Sequence, residues 1–337
     1  MTKSGWIFRI GLVFGWGILI AAWAGPRVPH VVIISMDGAA PWVVRHTPMP
    51  VVHQLFREGA ATWDAETTRP TVTLPSHTSM LTGVGPARHG ITWNDWRPTN
   101  GVVQVPTIFA AAKQTGLTTA MFVGKKKLLH LLQPGTVDHF DYAGRAWSAA
   151  PPAAPGPFNE ARLDHDGQPV TQARAVARRA ADFLQQRKPN LCFIHLGDPD
   201  VVGHKYGWGS PEQRRSLQDV DAAVEEILRS LRQAGLRSRT VVLITADHGG
   251  QGKGHSAGTL EDLKIPWIAW GFGVRSGHRL SSVIHTCDTA ATALWLLEAA
   301  PLVRLEGRPV REAFTFNAPS PTADSGPTQA QASLQAQ

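Results

Sequence analysis

A chain of 337 residues with 43% hydrophobic content is long enough to bury a large core, and it fits one large domain with or without a small lobe. Its formal net charge is +7, from 33 basic and 26 acidic residues, and the bases are scattered, with Lys125-Lys126-Lys127 the sole run of three. That pattern argues against a nucleic-acid platform, although a mild positive field still attracts small anionic substrates.

Lys3 and Arg9 flank the start of an apolar run over residues 10–24 that ends Ala22-Trp23-Ala24. The run is short for a bilayer span, and its small-x-small end matches a cleavage signal, so residues 1–24 read as a cleaved secretory signal peptide. The expected location is periplasmic or secreted, with membrane contact only if the segment stays uncleaved. Strands are predicted over 31–36, 118–123, 191–196, 240–245 and 265–270, each from a short apolar run. Helices are predicted over 51–57, 107–114 and 171–186, and from an N-cap at Ser210 with Pro211 in the first turn as far as Leu231. This alternation defines an α/β domain over 28–316, with a mostly parallel central sheet covered by helices on both faces. The Ala/Pro-rich stretch within 144–168 reads as a loop or cap insertion, and the Pro/Ser/Thr/Gln-rich stretch 317–337 as a disordered tail. Cys192 lies in an apolar strand as a small buried hydrophobe, and no bond to Cys287 is expected.

Four short segments carry the chemistry: Met36-Asp37-Gly38, Thr71 to His77, Asp200 to His204, and Asp247-His248-Gly249 followed by His255. Three of them follow buried strands, and open α/β sheets gather their ligands at the carboxyl ends of strands. Asp200 and His204, four apart with Gly203 between, can chelate one ion from a loop or helical turn. Asp247, His248 and His255 lie in a Gly-rich turn that allows close backbone approach. Three Asp and three His are too many for one tetrahedral site and suit two; the mixed N/O set favours zinc, with manganese or iron as alternatives. Two such ions ~4 Å apart can clamp both oxygens of an in-line phosphoryl transfer. Thr73 supplies a hydroxyl whose pKa a metal lowers, and the segment after it can begin a helix whose N-terminus favours an anion.

Met36-Asp37-Gly38, Thr73-Leu74-Pro75-Ser76-His77 with Leu81-Thr82-Gly83 and His89-Gly90-Ile91, Pro199-Asp200 with Gly203-His204, and Asp247-His248-Gly249 together resemble the alkaline phosphatase superfamily, in its type I phosphodiesterase/nucleotide pyrophosphatase branch. The resemblance covers roughly residues 30–300, with the motifs in the family's order. It implies that Thr73 is the nucleophile and joins Asp37, Asp247 and His248 on one Zn2+, while Asp200, His204 and His255 take a second. It also implies that Asn94 donates a hydrogen bond to a phosphoryl oxygen. His255 follows the Asp-His pair more closely than in many larger members, so His285 is the reserve ligand.

The implied activity is hydrolysis of phosphodiester or pyrophosphate bonds of a small phosphate ester through a threonyl-phosphate. Lys125, Lys126 and Lys127 follow a strand end, and Lys125 and Lys127 are candidate substrate-binding residues; a lysine there would favour a phosphomonoesterase as the alternative. Trp93, Trp96 and Trp208 are either packing residues or stacking surfaces for an aromatic leaving group. A sulfatase fits poorly, because Thr73 cannot be converted to formylglycine. A non-catalytic metal- or anion-binding protein fits poorly too, because the ligand set is complete.

Overall fold

The strand His30–Met36 (β1) is buried along its whole length, with strands bonded on both sides. In the computed structural model, which describes residues 26–142, 145–146 and 172–316, β1 lies within a nine-stranded sheet. In chain order the others are Ala60–Glu66 (β2), Thr119–Val123 (β3), His139–Tyr142 (β4), Arg145–Ala146 (β5), Leu191–Leu196 (β6), Thr240–Thr245 (β7), Lys264–Gly271 (β8) and His278–Arg279 (β9). Their spatial order is β5-β4-β3-β6-β1-β7-β8-β2-β9. The sheet is parallel from β4 through β3, β6 and β1 to β7, and antiparallel where β8 meets β7 and β2 and where β5 meets β4. In the central register Ile33 faces Phe193 on one side and Leu243 on the other. Apolar side chains on both surfaces of these strands demand cover on both.

Two groups of helices supply it. Gln172–Arg187, with a stripe of Ala, Val and Leu, packs along Pro211–Gln233, with a stripe of Leu, Val, Ala and Ile at helical spacing. The second group is Thr73–Thr82 with Ile108–Gln114 and Thr286–Leu297. The Ser210 hydroxyl accepts from Gln213 N at 3.2 Å, capping the long helix as its sequence implies. Thr73–Thr82 is buried at every position, which explains a composition of small hydroxyls and Leu with no charge.

The predicted strands and helices all occur, with ends moved by a residue or two. Four strands have no counterpart in the prediction: β2, β4, β5 and β9. Ala60–Glu66, with its sequence AATWDAE, lacks an apolar run and bulges between Thr62 and Ala65; it is a strand because β8 pairs with it. Asp200 and His204 lie on a helix, Asp198–Tyr206, and Thr73 opens a helix, so the candidate ligands are not all direct strand ends. The proposed secretory segment 1–24, the tail 317–337 and nearly all of the insertion 144–168 lie outside the described residues. Cys192 and Cys287 are both buried and unbonded.

Candidate active site

The chain leaves β1 at Asp37, β6 through Asp198–Tyr206, and β7 at Asp247, all at the carboxyl edge of the parallel strands. Asp37, Asp200, Asp247, His248, His255 and Thr73 are all buried, and only the His204 ring is half-exposed. Gly38 makes the approach possible. Its φ is +70°, and a Cβ there would lie 3.0 Å from the Asp200 Cβ and 3.2 Å from the Trp208 ring. Trp208 braces the same turn: its indole N–H donates to Gly38 O at 2.8 Å, and its ring meets those of His204 and His255 edge-on. Trp208 is therefore a packing residue. Trp93 and Trp96 lie around the His130 ring.

The donor atoms form two overlapping groups, Asp37/Asp247/His248 and Asp200/His248/His255. His204 joins the second: its Nε2 is 3.0 Å from His255 Nε2 and 3.4 Å from Asp200 Oδ1. The tautomers follow from the backbone. Nδ1 of His204 donates to Lys253 O, that of His255 to Thr71 O, and that of His248 to Gly249 O. Each imidazole, when neutral, therefore turns the lone pair of Nε2 towards the carboxylates. On the carboxylate side, Asp37 Oδ1, Asp200 Oδ1 and Asp247 Oδ2 are buried without a hydrogen bond. Lone pairs converging on orphaned carboxylate oxygens repel one another, and a divalent cation resolves both deficits. The donor set thus fits a metal ion.

Charge regulation agrees. Burial opposes ionisation of Asp37, but the Lys125 ammonium and the His195 hydrogen bond outweigh it and hold the carboxyl well below the usual range. For Asp200 burial likewise opposes ionisation, and Lys125 again outweighs it. Asp247 goes the other way: burial and the charge of Asp37 push it well above the usual range. Burial and the neighbouring His248 lower His255 to about 4. The Asp200 hydrogen bond raises His204, so a proton competes with a cation there.

Thr73 is the first residue of its helix. Its Oγ1 is 3.5 Å from His248 Nε2 and 3.3 Å from Lys125 Nζ. Two first-turn amides are engaged: Leu74 N–H donates to Asn94 Oδ1 at 2.9 Å and Ser76 N–H to Val72 O, while Pro75 has none. Those two amides are therefore not available to an anion. Because Asn94 Oδ1 accepts from Leu74, its amide nitrogen is the free donor.

Of the three lysines, Lys125 reaches the site, at 2.7 Å from Asp37 Oδ2 and 2.5 Å from Asp200 Oδ2. Lys126 lies 5.9 Å over the Trp96 ring. Lys127 makes no ion pair among the described residues; burial and the nearby Lys125 charge lower its pKa. His285 is exposed at the start of Thr286–Leu297, its N–H donating to Asp288, and is not in the cluster.

Sequence reasoning missed the buried layer behind the candidate ligands. His195 Nε2 is 2.7 Å from Asp37 Oδ2, His77 bridges Thr73 O and the Ser35 hydroxyl, and Thr67 and Ser76 hydroxyls hold Asp247 O. The available signal was a polar residue second from the end of an apolar strand: Ser35 in HVVIISM and His195 in LCFIHL.

A mostly parallel sheet with these carboxylates and imidazoles at its carboxyl edge defines the alkaline phosphatase-like class. Within it the chain belongs to the type I phosphodiesterase/nucleotide pyrophosphatase family, which residues 31–258 match. It is similar to ectonucleotide pyrophosphatase/phosphodiesterase family member 3 of Rattus norvegicus, at 26% identity over 66% of this chain and 25% of the relative. Family member 7 of Homo sapiens is 24% identical over 70% of this chain and 51% of the relative. The chain thus spans about a quarter to a half of the length of these relatives. Its fold is similar to that of murine ectonucleotide pyrophosphatase/phosphodiesterase 5 in complex with AMP, with a TM-score of 0.63, 15% identity and coverage of 85% and 100% of the two chains. No described helix is long and apolar enough to cross a membrane.

Proposed function

We propose that the protein is an exported phosphoesterase that cleaves phosphodiester or pyrophosphate bonds of small substrates through a covalent intermediate on Thr73. The observation that carries this reading is the meeting of a buried threonine hydroxyl with two acid/imidazole groups and one ammonium. Asp37, Thr73, Asp247 and His248 would hold one ion, and Asp200, His204 and His255 the other; zinc suits this nitrogen and oxygen set best. When bound, the pair supplies Lewis-acid neutralisation of the attacking and leaving oxygens.

Thr73 Oγ1, its proton released to solvent, attacks phosphorus in line as the alkoxide. The P–O bond to the leaving group breaks, and that oxygen departs with the bonding electrons and gains a proton. Asn94 donates its amide N–H to a non-bridging oxygen, and Lys125 offsets the charge that develops there. Water then attacks the same phosphorus, the P–O bond to Thr73 breaks, and the hydroxyl is regenerated. Burial of Thr73 and its neighbours limits competing water before this second step.

Lys125 also favours a second reading. An ammonium 3.3 Å from the nucleophile suits the extra negative charge of a monoester. Paired aryl phosphate mono- and diesters assayed in zinc separate the two. Faster diester turnover supports the phosphodiesterase, and a monoester preference of several orders of magnitude replaces it with the monoesterase. Release of sulfate from an aryl sulfate with neither phosphate ester cleaved would overturn both.

A further inference from the structure

His195 lies second from the end of β6, fully buried, paired in register with Ser35 of β1 and Val123 of β3. Its two ring nitrogens have unlike partners. Nδ1 is 3.1 Å from the Gly124 N–H, which can only donate, so Nδ1 carries the lone pair. The ring is therefore neutral with its proton on Nε2, and that N–H donates to Asp37 Oδ2 at 2.7 Å. Lys125 Nζ meets the same Oδ2 from the other side. With Oδ2 occupied twice, Oδ1 is the oxygen left without a partner, 3.5 Å from His248 Nε2. His195 thus decides which oxygen Asp37 presents to the ligand cluster.

The Gly124 end of the bridge does something separate. Gly124 N–H is held by His195, and its carbonyl accepts from Gln172 Nε2 at 2.6 Å. A Cβ on Gly124 would lie 3.3–3.4 Å from Gly197 N, the Gln172 amide oxygen and His195 Nδ1, so the peptide sits in a close-fitting slot. Lys125 is the next residue, and the direction of its stem follows from that fixed peptide plane.

We propose that His195 is a positioning residue with two duties: it fixes Asp37 Oδ1 as the ligating oxygen, and it mounts Lys125 through the Gly124 peptide. This rests on the metal-dependent reading of the site, but not on which ester is cleaved. Ligands oriented by a hydrogen-bonded second layer lose about 10- to 100-fold in metal affinity when that layer is removed.

Two near-isosteric changes separate the duties. In His195→Gln the amide nitrogen falls near the position of Nε2 and keeps the donor to Asp37 while losing the acceptor for Gly124. In His195→Asn the amide oxygen falls near Nδ1 and keeps the acceptor while losing the donor. Zinc affinity is read by competition with a chromophoric chelator, and folding by the melting temperature of the metal-free proteins. We expect His195→Asn to bind zinc about 10- to 100-fold more weakly than the parent and His195→Gln to stay within a few-fold. We expect His195→Gln, and independently Gln172→Met, to lower kcat for an aryl phosphate monoester several-fold, in the direction of Lys125→Gln, with little change in zinc affinity. Should His195→Gln fail to fold, Gln172→Met still tests the second duty; should His195→Asn fail to fold, His195→Gln tests the first, because a loss of zinc affinity of about 10-fold or more despite its retained donor to Asp37 would overturn that duty. Equal zinc affinities for His195→Asn and the parent would overturn the first duty, and an unchanged kcat in both His195→Gln and Gln172→Met the second. A parent that binds no zinc overturns both duties together with the metal reading. Zinc affinities in the predicted order with no ester turned over leave the first duty standing and overturn the proposed activity alone.

Discussion

Lys125 Nζ lies 3.3 Å from Thr73 Oγ1 while paired with Asp37 and Asp200. Burial would lower the pKa of this ammonium, but Asp200, Asp37 and Asp247 outweigh it and raise it, so these carboxylates favour the charged form of Lys125. Its contribution is a fixed positive charge beside the proposed nucleophile, and the substrate that gains most is the one carrying most negative charge. Replacing Lys125 by Gln is therefore expected to slow monoester turnover about 100- to 1,000-fold, the range seen when one charge-stabilising donor is removed, and diester turnover less. Lys127→Gln is expected to change either rate only a few-fold. Steady-state kcat/KM on matched aryl esters checks this, and equal losses on both esters would remove Lys125 from the selectivity argument.

The two donor groups predict a stepwise metal count. Asp200→Asn and His204→Ala withdraw ligands from one group and leave Asp37, Asp247 and His248 intact. Each variant is expected to retain about one metal equivalent where the parent holds two. Elemental analysis after gel filtration reads the ratio directly. Stripping the parent with a chelator is expected to lower its melting temperature, because the carboxylates then face one another with Lys125 as the cation between them.

Gly38 ties backbone geometry to the site. Its positive φ costs a residue with a Cβ about 1–2 kcal/mol, and the Cβ would press on Asp200 and Trp208. Gly38→Ala is expected to lose at least that stability and most of its activity, because Asp200 and Asp37 must both move. Urea unfolding with a parallel rate assay tests it; full activity with normal stability would show that the turn has slack.

Acid sensitivity can be read at a residue outside the ligand set. His89 accepts from Ile91 N–H on Nδ1 and meets the Ser79 hydroxyl through Nε2, and burial lowers its pKa from 6.5 to about 4. A depressed histidine favours folding fully above its unfolded pKa, and that contribution is lost as pH falls from about 6.5 towards 4. His89→Gln lacks the titration. Its stability deficit is expected to shrink on acidification through that window, by about 1.4 kcal/mol per pH unit at most. Urea midpoints at four pH values measure the gap; a gap constant with pH would place the buried ring in its charged form.

The central strands and most residues of the candidate ligand cluster were legible because they rest on a local signal: an unbroken apolar run, or an Asp or His beside glycine. Ala60–Glu66 was not legible, since pairing with β8 rather than its own composition makes it a strand. The choice among Lys125, Lys126 and Lys127 was also closed to sequence, because adjacent residues differ only in which way the chain turns after Gly124, and that depends on His195 and Gln172 from 71 and 48 residues away. His285 stayed in reserve for a similar reason: spacing from the Asp-His pair does not reveal that Thr71 holds the His255 ring in place.

The central claim is that Thr73 becomes covalently phosphorylated, and trapping that species tests it most directly. The zinc-loaded protein is mixed with a bis-aryl phosphodiester, quenched in acid during turnover, digested and analysed by mass spectrometry. The account predicts an aryl-phosphoryl adduct on the peptide at Thr73, absent from a Thr73→Ala variant that still binds zinc. Undiminished turnover by Thr73→Ala, with no adduct in the parent, would contradict it.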